Sequence, residues 1–132
     1  MRALIPLLLL LSGAAQACTP ALPGAKGETA ESPKYALAFR TQPEKIEIGQ
    51  HFVVEIALCA KDGAPAPEAL RVDAHMPEHR HGMNYKTTVT SPAAGRYRAE
   101  GLMFHMPGRW EYIFEVRAGG AAERLTKSMV LQ

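Results

Sequence analysis

The stretch "VDAHMPEHRHGMNY", residues 72–85, carries His75, Met76, His79, His81 and Met83, and "FHMPG" at 104–108 repeats the theme with His105 and Met106. The chain has only five histidines and six methionines in 132 residues, so most of its imidazole and thioether is concentrated in two short segments. Imidazole with thioether selects copper among the available metals, because neutral methionine sulfur is a soft donor that holds Cu(I) and hardly binds zinc or magnesium. Zinc would use cysteine or clustered carboxylate beside histidine, and here Glu78 alone offers a carboxylate within the motif. The candidate metal ligands are therefore His79, His81, Met83, His105, Met106, His75 and Met76, and the candidate cofactor is copper.

A plainer reading stands beside this one. A turn-rich loop stiffened by histidine hydrogen bonds would make a firm, mildly apolar contact surface for a redox enzyme or membrane complex. Methionines at strand ends often fill gaps in a core, and Met76 lies in phase with Leu70, Val72 and Ala74, which makes packing as natural a role for it as ligation. His51 reads as a surface histidine at a strand edge. Trp110 reads as core, in phase with Tyr112, Phe114 and Val116.

The elements that must position these residues are strands. In "HFVVEIALC" the side chains of Phe52, Val54, Ile56 and Leu58 share one face, and "RWEYIFEVR" alternates in the same way. This period-two pattern marks half-buried strands of an antiparallel sheet. Comparable runs occur at 35–41, 70–75, 85–90, 96–105 and 124–131, separated by turn signals such as "KDGAPAPE", "SPAAG" and "AGGA". About seven short strands without a helical stretch predict an immunoglobulin-like antiparallel β-sandwich over residues 34–132. The phase of 96–105 works only with a bulge at Gly101, which would turn His105 outward. His79-Arg80-His81 is expected to be extended, with both rings on one side. With successive strands antiparallel, the loops holding His51, the 75–83 cluster and His105 all fall at one pole, and Cys59 falls at the other.

The chain's start has a separate meaning. "MRALIPLLLLLSGAAQAC" has one arginine, an apolar run and small residues before Cys18, which predicts a signal peptide over residues 1–17 and a periplasmic or secreted product with no membrane span. Residues 18–33 are rich in Pro, Gly, Ala, Thr, Glu and Lys and predict a flexible tether. An oxidising compartment favours pairing of the only two cysteines, Cys18 with Cys59. The alternative is a lipid anchor on Cys18, but Ala15-Gln16-Ala17 makes a poor lipobox and Cys59 would be left odd. Without Arg2 the chain has 14 basic against 13 acidic side chains, spread evenly, so nucleic-acid binding is not expected. No Ser or Cys nucleophile lies beside a histidine and no carboxylates are paired, so an enzyme is not expected either.

"MPEHRHGM" followed by "GRYRAEGLMFHMPGRW" resembles the YtkA-like and FixH-like domains, small exported immunoglobulin-like modules of bacteria. The matching positions are Met76, Pro77, His79, His81, Gly82 and Met83 in the first motif and Met106, Pro107, Gly108 and Trp110 in the second. The resemblance implies a link to copper handling and a periplasmic redox or copper-handling partner.

Overall fold

The computed structural model describes residues 18–24 and 27–132, so the expected signal peptide at 1–17 lies outside the described residues. The strands are β1 (Glu28–Glu31), β2 (Tyr35–Gln42), β3 (His51–Ala60), β4 (Ala69–Met76), β5 (His81–Gly82), β6 (Thr88–Ala93), β7 (Arg96–Met103), β8 (Gly108–Ala118) and β9 (Ala121–Leu131). They form two antiparallel sheets, in the orders β1-β2-β3-β7-β6 and β5-β4-β8-β9. Without the two shortest strands, β1 and β5, this is the division of a constant-type immunoglobulin sandwich. Among the described residues no helix is long and apolar enough to cross a membrane.

Both additional strands fall where periodicity carries no signal. β5 has two residues, too few to alternate, and β1 is "ETAE", in which only Ala30 is buried. β1 lies within residues 18–33, the segment expected as a flexible tether. Glu28–Glu31 pair with Ala36–Phe39 of β2, and Gly27 lies so close to β2 that a Cβ there would sit 2.5 Å from the Phe39 carbonyl oxygen. Upstream, Cys18 is bonded to Cys59 at the end of β3, with 5.7 Å between Cα atoms. A bonded Cys18 has no thiol left to acylate.

The core lies between the sheets. Alternate residues of β3 (Phe52, Val54, Ile56) and β8 (Trp110, Tyr112, Phe114, Val116) are buried, as their sequence phase requires. The bulge falls where the phase demanded it. Phe52 pairs with Leu102 but Val54 pairs with Ala99, so Glu100 and Gly101 together oppose Val53. Gly101 has φ 90°, and a Cβ there would meet the Lys86 carbonyl oxygen at 2.8 Å, so the bulge needs glycine. Beyond it Leu102 and Phe104 both face the core. The hairpin from β8 to β9 turns on Gly119 and Gly120, both at positive φ, the form that suits a two-residue β-turn.

The β2–β3, β4–β6 and β7–β8 connections share one pole. Gly49 donates its N–H to the Phe104 carbonyl at 2.9 Å, joining the first to the third. The His51 and Tyr85 rings, 5.0 Å apart, join the first to the second.

Candidate metal centre

β4 and β5 form a small hairpin in which Met76 pairs with His81 and His75 with Gly82. The chain reverses through Pro77–Arg80, where the His79 N–H donates to the Met76 carbonyl at 3.1 Å. Pro77 supplies the φ that the second position of such a turn prefers. Arg80 is left-handed, with φ 55°. His79-Arg80-His81 is therefore not extended as its spacing predicted, because four residues must bring the chain back beside Met76. The two rings still meet, with centroids 5.8 Å apart.

Residues that pair directly across antiparallel strands project to the same face. Met76 is fully buried, so the half-buried His81 stands on the core side of the hairpin, at the rim of the sandwich. His75, one residue earlier, takes the opposite face. There its Nε2 lies 2.9 Å from Oε1 of Glu111, the residue directly across on β8. Of the seven candidate ligands, Met76 is thus placed in the core and His75 on the outer face, and neither joins the other rings.

The β7–β8 connection brings the third imidazole. Phe104 stacks on Trp110 with centroids 4.4 Å apart and planes at 7°. The indole Nε1–H donates to the Met106 carbonyl at 3.0 Å and so holds the loop down. His105 between them does not turn fully outward. It is half-buried, 5.5 Å from Trp110 and 5.2 Å from His81 by centroid. Met83 and Met106, next in sequence to Gly82 and His105, are half-buried and packed against the core cluster. His51 is exposed at the same pole, its Nδ1 3.3 Å from the Leu102 carbonyl, and stands outside this group.

Two ring nitrogens stand out. His81 Nδ1 lies 3.1 Å from the Gly82 carbonyl, which can only accept, so in the neutral ring Nδ1 carries the proton and Nε2 keeps its lone pair. His105 Nδ1 is buried with no hydrogen-bond partner, and among the described residues no other side-chain nitrogen or oxygen is in that position. A buried unsatisfied imidazole nitrogen is costly and calls for an explanation. Among the described residues no three His, Cys, Asp or Glu side chains meet around one point to hold a metal ion. His79, His81 and His105 form a row with His81 in the middle, and the neighbouring carboxylates of Glu78 and Glu111 are engaged elsewhere. Glu78 pairs with Arg109 at 2.6 Å, and that hydrogen bond holds its carboxyl below the ordinary carboxylate range. Arg109 also donates to Ser128 at 3.0 Å, which anchors the histidine loop to β8 and β9.

Residues 29–115 match the sequence model described as YtkA-like. The chain belongs to the YtkA-like family. No curated protein matches this YtkA-like chain. Among solved structures it is similar to a crystal structure of a DUF4426 family protein from Pseudomonas aeruginosa PAO1, at 9% identity and a TM-score of 0.49, over 81% of this chain and 97% of that one. Within this YtkA-like domain, sequence reasoning missed Glu111 as the partner of His75, the Arg109 anchor of Glu78, and Trp110 as the ring against which both His81 and His105 rest. Only the 75↔111 pairing was recoverable in principle, from the opposite charges on two strands that could be adjacent.

Proposed function

We propose that this protein is an exported copper-binding module that accepts or delivers one ion at its histidine-methionine pole. His81 and His105 are the central imidazole donors, and Met83 and Met106 supply thioether. One observation carries the reading: the buried, unpartnered Nδ1 of His105 stands in a ring only 5.2 Å from His81, whose hydrogen bond leaves its own Nε2 free. Two nitrogens alone make an incomplete shell, and neutral sulfur from the flanking methionines is the completion that suits copper and excludes the hard ions. His79 extends the row toward solvent. The bonded pair Cys18 and Cys59 supports an oxidising compartment, as does the leader-like start of the sequence. A periplasmic redox or copper-handling protein is the fitting donor or acceptor.

The test is an anaerobic Cu(I) competition titration, with a parallel Cu(II) titration, of the chain from Cys18 onward. One equivalent should bind. His81→Ala and His105→Ala should each weaken binding by about tenfold or more while leaving the metal-free fold intact, since half-buried side chains at the rim contribute less to stability than the core. Binding of neither ion more tightly than by an unrelated peptide with as many histidines would overturn the copper reading. The pole would then be a docking surface for a redox or membrane complex.

A further inference from the structure

We infer that the three imidazoles provide two overlapping sites, an outer one on His79 and His81 and an inner one on His81 and His105, between which copper passes by pivoting on His81. This rests on the copper reading and goes further, because it assigns His79 to transfer and not to storage.

The row is graded in exposure. His79 is exposed at the tip of the turn beside the left-handed Arg80, His81 is half-buried on β5, and His105 is half-buried with its Nδ1 sealed from solvent. The two spacings are alike, 5.8 Å with planes at 38° and 5.2 Å with planes at 36°. With metal–nitrogen bonds of about 2 Å, an ion can touch both rings of either pair after modest ring rotation. No three His, Cys, Asp or Glu groups converge among the described residues, which fits sequential pairs and not one three-nitrogen cage. His81 is the suitable pivot, since strand pairing with Met76 and the hydrogen bond to the Gly82 carbonyl hold its ring while Nε2 stays open.

The exchange balances simply. A bond from His105 nitrogen to copper forms as the bond to His79 breaks, and His81 stays attached throughout. The oxidation state does not change, and because both imidazoles ligate in the neutral form no net proton is released in the step. Release is the reverse. The bond to His79 forms as the bond to His105 breaks, and a donor from a partner, thioether or imidazole, then replaces His79 and His81 at the exposed pair.

Trp110 gives the readout. It is the chain's only tryptophan, and its ring contacts His81 at 6.1 Å and His105 at 5.5 Å, so copper seated at the inner pair quenches its fluorescence. Stopped-flow mixing of the mature chain with aqueous Cu(II), followed by a chelator, measures seating and release. His79→Ala should leave the equilibrium Kd within about threefold of wild type while slowing both rates by about tenfold. His105→Ala should still bind copper weakly at the outer pair, with most of the quench lost. Wild-type rates in His79→Ala would overturn the inference, as would a loss of affinity matching that of His81→Ala, which would make His79 a resident ligand. Absence of copper binding by the wild-type chain is a separate result that removes the copper reading itself.

Discussion

The indole of Trp110 lies flat against the ring of Phe104, centroids 4.4 Å apart, while its Nε1–H reaches the carbonyl of Met106. One buried side chain therefore fills the end of the core and fixes the loop that carries His105.

Trp110→Ala should cost about 3–5 kcal/mol through lost burial and a residual cavity, with part of the loss from the freed Met106 carbonyl. Urea denaturation measures it. A midpoint equal to wild type would show that Trp110 does not hold the sandwich end together.

The bond between Cys18 and Cys59 spans 41 residues of sequence. A constraint of that length stabilises by up to ~4 kcal/mol in the chain-entropy account. Intact-mass analysis of the protein purified without reductant should show the two thiol hydrogens missing and no acyl group. The double substitution C18A/C59A should lower the melting temperature; a diacylglycerol adduct on Cys18 would contradict the structure.

Glu78 gives a pH dependence with a definite sign. Its hydrogen bond to Arg109 lowers its pKa from an ordinary value of 4.5. The folded form thus holds the proton less tightly than the unfolded chain, so the ion pair stabilises above pH 4.5 and the contribution is lost as pH falls through the lowered value. Glu78→Gln should melt slightly below wild type at neutral pH, and the gap should close on acidification. A gap that does not narrow at any pH below 4.5 would exclude the linkage.

His75 is engaged with Glu111 on the face away from His81. His75→Ala should therefore leave copper affinity within about threefold of wild type, because its ring touches Glu111 and holds none of the side chains proposed to bind the ion. A loss as large as that of His81→Ala would place His75 among the ligands.

Thioether does not titrate and is softer than imidazole. Met83→Leu, which keeps the volume near the core, should weaken Cu(I) more than Cu(II). Equal loss for both ions would assign Met83 to packing.

Much of this molecule is written in local pattern. Alternation at Phe52, Val54 and Ile56 and at Trp110, Tyr112 and Phe114 determined which residues are inside, because a strand's side chains change face at every step. The break in that alternation between Ala99 and Leu102 located the bulge at Gly101. The presence of only two cysteines in a chain with a leader-like start favoured their pairing over a lipid anchor, and antiparallel succession determined that the histidine-bearing loops share a pole. Tertiary structure decided which residues at that pole meet. Strand phase already set Met76 apart from His75, His79 and His81, but only the four-residue turn with Arg80 left-handed and the pairing of Met76 with His81 place His75 against Glu111 and both His79 and His81 in the row with His105. Face parity is a property of one strand and can be read along it. Register between strands and the path of a tight turn depend on partners distant in sequence, here β8 and the β7–β8 loop, and so become definite only when the sheets pack.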